Sequence, residues 1–139
     1  MRYSGKQTGY SMIELMVVVA IIGILGAVAY PSYTQYVTRT NRTDAMETLT
    51  EVMNQQQRFI MRNRRYATDL RQLGFGQATL ETSRGLYVIA AAACGSEPIQ
   101  RCVQLTATPQ GVQQNDGVIT LNSRGEKQWA GQAGWYHRK

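Results

Sequence analysis

Between Tyr10 and Ala29 the chain reads YSMIELMVVVAIIGILGAVA, a stretch with one charged residue, Glu14. The 21 residues from Tyr10 to Tyr30 would span about 31 Å as a helix at ~1.5 Å per residue. That matches a bilayer core of about 30 Å. Arg2 and Lys6 precede the run, so the positive-inside rule places the N-terminus in the cytoplasm and everything after Pro31 outside. A carboxylate at membrane depth costs roughly 2.5 to 3.5 kcal/mol on insertion scales. Glu14 therefore needs a reason.

The rest of the chain excludes more than it specifies. With 139 residues and a net charge of +6, it fits one ordinary domain plus an appendage. The one histidine, His137, leaves no zinc cluster and no Ser/His/Asp set on a rigid element. No catalytic residue, metal or cofactor is expected. Cys94 and Cys102 are two ligands at most, and they suit a loop-closing disulfide in an oxidising compartment better than a metal site.

Three readings of the N-terminal segment compete. One is a plain single-pass anchor. Another is a secretory signal peptide, supported by the basic start and the small-x-small site at Ala27-Val28-Ala29, but a disposable apolar segment gains nothing from Glu14. The third rests on Thr8-Gly9-Tyr10-Ser11-Met12-Ile13-Glu14-Leu15, which resembles the processing site of the type IV pilin family: a short basic leader ending in glycine, then an aromatic residue, with glutamate at the fifth position after the cut. The likeness continues from Met16 through Leu25 to Ala29-Tyr30-Pro31-Ser32-Tyr33.

The resemblance implies that residues 1–9 are a leader removed by prepilin peptidase between Gly9 and Tyr10, and that Tyr10 is then N-methylated. The family usually has phenylalanine where Tyr10 stands. Glu14 would pair with the Tyr10 ammonium of a neighbouring subunit, so that its burial rewards correct register. Gly23 and Pro31 would bound the stretch of helix that loses order on assembly; a proline kink among ordinary membrane-helix glycines is the simpler account.

Helical periodicity continues past Pro31. Tyr33, Tyr36, Val37, Ala45, Met46, Leu49, Val52, Met53, Gln56, Phe59 and Ile60 recur mostly at three- and four-residue steps, with Arg39, Arg42, Asp44, Glu47, Glu51 and Arg58 on the other face. The helix should run to about Arg62, long enough for its apolar half, residues 10–31, to protrude from the domain. A loop over 63–85 with one helical turn from Thr68 to Leu73 should follow. Strands are expected at 86–93, 103–109, 117–122 and 126–130, with a tight turn at Asn122-Ser123-Arg124-Gly125. The expected fold is α+β: the helix from Tyr36 to Ile60 packed on an antiparallel sheet of about four strands, with Cys94 and Cys102 bridging facing strand ends. In the globular region 32–139, RRYATDLRQLGFG (64–76), the Ala-rich strand before Cys94 and VQLTATPQGVQQNDGVITLNSRGEKQW (103–129) look most like a PilE-type minor pilin. No cysteine follows Cys102, so the tail after Trp129 should be untethered; the aromatic and basic end of the exposed tail, residues 131–139, could dock a partner pilin or cover the sheet edge.

The implied function is structural: a minor subunit of a type IV pilus, held in the inner membrane with its globular domain periplasmic, then assembled with other pilins by inner-membrane machinery. Twitching motility, adhesion or DNA uptake would follow from the pilus. A type II secretion pseudopilin is the alternative, weakened because only Glu97, Asp116 and Glu126 follow residue 90, too few acids for a calcium site. Another is DNA capture: Arg58, Arg62 and Arg65 are spaced to share a helix face, with Arg64, Arg71 and Tyr66 nearby. A solvated helix end is the simpler reading of those arginines, which ranks nucleic acid behind other pilins as a partner.

Overall fold

Long runs of Ala, Met, Leu, Glu and Gln between residues 45 and 57 are strong helix formers, and they sit in a single helix, α1 (Met12–Asn63), in a computed structural model that describes residues 9–135. The expected leader, apart from Gly9, and residues 136–139 lie outside the described residues. The chain divides into two compact units between Val37 and Thr38.

In the first unit α1 includes Pro31, which has no N–H for the carbonyl of Ala27 four residues back. The Thr34 hydroxyl donates to the Pro31 carbonyl at 2.9 Å. No residue of the most apolar window of α1 is buried, and its mean hydropathy of 2.6 is that of a membrane span.

In the second unit the periodic face of α1 becomes the core. Ala45, Met46, Leu49, Val52, Met53 and Gln56 are all buried. Tyr36, expected to open this face, is instead exposed, as is Tyr33; both belong to the first unit. Arg42 and Asp44, expected on the solvated face, are half-buried. Opposite α1 stands a sheet of six antiparallel strands in sequence order: β1 (Leu80–Glu81), β2 (Tyr87–Ala93), β3 (Val103–Pro109), β4 (Ile119–Asn122), β5 (Lys127–Trp129) and β6 (Gln132–Ala133). Register places Ile89 opposite Ala107, and Ala107 opposite Ile119, so one row of inward side chains crosses three strands toward the helix.

The sheet thus exceeds the expected four strands by two short ones. β1 was hidden in the expected loop. β6 overturns the expectation of an untethered tail: Ala130 and Gly131, with φ of 50° and 78°, make the tight reversal whose twist suits a two-residue hairpin, and Gln128 and Trp129 pair with Ala133 and Gln132. Trp135 is then buried, its Nε1 donating to the Thr120 carbonyl at 3.0 Å. The Lys127 ammonium lies 4.5 Å over the Trp135 ring.

Cys94 and Cys102 form a disulfide, with Cα atoms 5.4 Å apart, across the end of the β2–β3 hairpin. By loop entropy, closing so short a loop stabilises the domain by about 2 to 3 kcal/mol. A Cys94→Ala/Cys102→Ala variant should lose stability of that order in denaturant unfolding, and adding reductant to the unsubstituted protein should reproduce the loss. Equal midpoints with and without reductant would contradict this.

Candidate functional site

Two features of the second unit stand out chemically: an arginine-rich end and a buried ionic cluster. The first begins where α1 stops. Arg64 adopts φ 55° and donates its N–H to the Ile60 carbonyl at 2.8 Å, a left-handed cap that turns the chain out of the helix. Arg65 consequently leaves the helix, so the expected single face of Arg58, Arg62 and Arg65 is not formed. Only Arg58 and Arg62 share it, and they line a cleft of ≈ 420 Å³ with Gln55, Phe59, Asn63, Gln72 and Leu73.

The chain after the cap is held tightly. The Gln56 side chain, fully buried, donates to the Ala67 carbonyl at 2.6 Å and accepts from the Ala67 N–H at 2.9 Å. The Tyr66 N–H donates to the Ile99 carbonyl at 3.3 Å, which brings residues 64–66 against the disulfide loop and its Arg101. Arg58, Arg62, Arg64, Arg65 and Arg101 are all exposed, and among the described residues none is in an ion pair. Asp69 pairs with Arg71 at 2.6 Å and Glu97 with Arg124 at 2.5 Å. The Arg71 hydrogen bonds hold the Asp69 carboxyl below its usual range.

Sequence reasoning therefore found Arg58, Arg62, Arg64 and Arg65 but missed Arg101, which reaches this end only through the β2–β3 hairpin. Tyr66, expected beside the arginines, is buried. Its ring is packed in the core and cannot stack on a nucleic-acid base.

The ionic cluster lies at the other end of the packed part of α1. Arg42 Nε donates to Asp116 Oδ2 at 2.8 Å, and its Nη2 bonds Asp116 Oδ1, giving a two-point contact. The Tyr87 hydroxyl donates to the same carboxylate at 2.6 Å. Trp129 closes the group: its Nε1 donates to the Asp116 carbonyl at 2.7 Å, and the Arg42 guanidinium lies 3.6 Å over its ring. Asn41 donates to Gln113 at 3.2 Å, and Gln113 to the Thr38 carbonyl at 2.9 Å.

Gly117 makes this approach possible. A Cβ there would stand 2.7 Å from the Ala130 Cβ, and its φ is +93°, a backbone that side chains oppose. Burial alone would push the Asp116 carboxyl up, but hydrogen bonds from Arg42 and Tyr87 outweigh it and hold it below its usual range. Burial, reinforced by the bond to Asp116, pushes the Tyr87 phenol well up. Asp116 is thus a structural anion, and Glu97 is held by Arg124.

In the first unit, Gly9 and Tyr10 precede the helix in irregular, exposed backbone, and Glu14 stands in the first turn of α1. Gly23 and Pro31 both lie within the helix and are exposed.

A membrane-length apolar helix that begins at this N-terminal motif, with its later turns packed on an antiparallel meander, defines a type IV pilin. In agreement, residues 4–30 match the prokaryotic N-terminal methylation motif. Residues 31–121 match the family described as type IV minor pilin ComP, DNA uptake sequence receptor. The chain belongs to that family, and is a minor pilin of a type IV pilus with a part in DNA uptake. No curated protein matches the chain at a significant level. The family favours the pilus over the secretion pseudopilus.

Proposed function

We propose that this minor pilin takes hold of DNA through its arginine-rich end, and that its N-terminal segment carries it from the inner membrane into the pilus. The observation that supports the first part is the set of five exposed arginines, Arg58, Arg62, Arg64, Arg65 and Arg101, which make no ion pair among the described residues. Guanidinium groups bind phosphate oxygens in a two-point fashion and remain charged at any physiological pH. The family's description as a DNA uptake sequence receptor supports this reading over a merely solvated helix end.

Binding through phosphates is measured by its salt dependence, since each neutralised phosphate contributes about 0.9 to the slope of log K against log salt. Full-length protein in detergent, titrated into labelled duplex DNA over a range of salt, should lose roughly 2.7 from that slope in an Arg58→Ala/Arg62→Ala/Arg65→Ala variant. Its filaments should remain intact and DNA uptake should fall. An unchanged slope would remove these residues from the interface.

For the second part, residues 1–9 are a leader cut by prepilin peptidase after Gly9, and the Tyr10 amine is methylated; the irregular backbone at Gly9 and Tyr10 suits a peptidase. The globular domain stands in the periplasm while α1 spans the inner membrane. On assembly Glu14 pairs with Tyr10 of a neighbouring pilin, and helix between Gly23 and Pro31 unwinds, where two glycines and a missing hydrogen bond weaken it. Intact mass and N-terminal sequence of the protein from its native membrane test this directly. A methylated Tyr10 start supports it; an uncut Met1 or a Tyr30 start overturns it.

A further inference from the structure

The apolar segment of α1 is bracketed by tyrosines, a spacing to which neither leader cleavage nor DNA binding gives a role. Tyr10 stands at one end; Tyr30, Tyr33 and Tyr36 stand at the other. Residues 11–29 between them contain no aromatic side chain. The four tyrosines are 67 to 79% exposed, although tyrosine ordinarily buries much of its ring.

The spacing follows the dimensions of a bilayer. From Met12 to Tyr30 is 18 helical steps, or about 27 Å at ~1.5 Å each, and Tyr10 lies two residues further out. The bracket is therefore close to the hydrocarbon thickness of about 30 Å. Beyond it each headgroup layer adds roughly 5 to 7 Å. Tyr33 and Tyr36 sit about 4.5 and 9 Å past Tyr30 along the axis. Side chains on a helix lean toward its N-terminus, so both rings reach back toward the bilayer, Tyr36 into the same layer as Tyr33.

We infer that Tyr30, Tyr33 and Tyr36, with Tyr10 opposite, form an interfacial aromatic belt that fixes the depth of the unassembled subunit in the membrane. An aromatic ring with a hydroxyl tip suits this layer, apolar on one side and wet on the other. The belt surface is continuous with the membrane-length apolar helix, and this continuity favours lipid over protein as the occupant before assembly. The belt must then be pulled from the headgroups whenever a subunit enters the fibre.

The inference rests on the membrane-anchored reading of α1, and one experiment separates the two. The full chain, labelled with 3-fluorotyrosine, is placed in lipid nanodiscs and followed by fluorine NMR, with signals assigned by single Tyr→Phe substitutions. Lipid carrying a nitroxide near the hydrocarbon edge should abolish the Tyr10, Tyr30 and Tyr33 signals and broaden Tyr36, while buried Tyr87 stays sharp. A water-soluble gadolinium chelate should spare Tyr30. If instead Tyr30, Tyr33 and Tyr36 ignore the lipid nitroxide and vanish with the chelate, they stand in water awaiting a protein partner, and the belt is wrong. Insensitivity to both agents means protein burial and also overturns it. Failure of the membrane reading shows separately, as protein that does not float with vesicles.

Discussion

Asp116→Ala should cost about 3 to 5 kcal/mol of stability, the range for removing one partner of a buried ion pair. The side chains of Arg42 and Asp116 are 15% and 5% exposed, so the pair is well shielded from water. Removing the carboxylate leaves the Arg42 guanidinium without its anion, and the Tyr87 hydroxyl without the acceptor it reaches at 2.6 Å. Water reaches neither group easily, so both desolvation costs fall on the folded state. Contact with the Trp129 ring at 3.6 Å compensates little, since a cation over an aromatic face contributes roughly 0.5 to 2 kcal/mol and is present before and after the change.

A double variant, Arg42→Met/Asp116→Ala, should recover much of the loss, because no charge is then stranded. Denaturant unfolding of the unsubstituted protein, Asp116→Ala, Arg42→Met and the double variant gives the coupling. If the double variant is as unstable as the sum of the singles, the two residues act independently and the account fails. The same cluster sets two pH limits. Asp116 titrates below its unfolded value, so its contribution is complete above about pH 4 and disappears as pH falls through the lower folded value. Tyr87 titrates above its unfolded value. Its contribution is therefore complete below about pH 10 and is lost as pH rises beyond, when the unfolded chain ionises first.

This cluster also shows where the sequence stopped being informative. Ala45, Met46, Leu49, Val52 and Met53 announce themselves because burial on a helix repeats every 3.6 residues. β2, β3 and β4 were legible from alternation, and the hairpin turn from Asn122 to Gly125. Arg42 follows the polar period and so reads as solvated; its burial depends on Asp116, which lies in a loop 74 residues away. Nothing local marks such a partner. β1 and β6 were missed for another reason: two residues give no period, and the Ala130-Gly131 reversal has alanine where asparagine or aspartate usually signals that turn. Trp135 was consequently assigned to an exposed tail.

The candidate interface divides in the same way. Arg58 and Arg62 share a face because helix geometry fixes them, whereas Arg65 and Arg101 are positioned by the Arg64 cap and by the Tyr66 to Ile99 hydrogen bond. The capping residue is arginine rather than glycine, so the end of α1 carries little sequence signal. Charge at this end is thus collected from three segments of chain.

Glu14→Ala should produce opposite effects in membrane and fibre. In the membrane, the substitution removes a carboxylate worth roughly 2.5 to 3.5 kcal/mol against insertion, so the variant should insert at least as well as the unsubstituted chain. A conventional role cannot explain its presence: an acid in the first turn of a helix gains about 0.3 to 1 kcal/mol from the helix dipole, well short of the cost. In the fibre, the proposed partner, the Tyr10 ammonium of a neighbour, would be buried alone, at a cost of about 3 to 5 kcal/mol. That corresponds to a loss of incorporation on the order of a hundredfold or more. The measurement is the ratio of the subunit in sheared filaments to that in inner membranes. An unchanged ratio would separate Glu14 from assembly, and the apolar segment would then be a simple anchor with an unexplained acid. Glu14→Gln refines the test, because it preserves shape and hydrogen bonding while removing charge: if register depends on the ion pair, glutamine should fail nearly as badly as alanine.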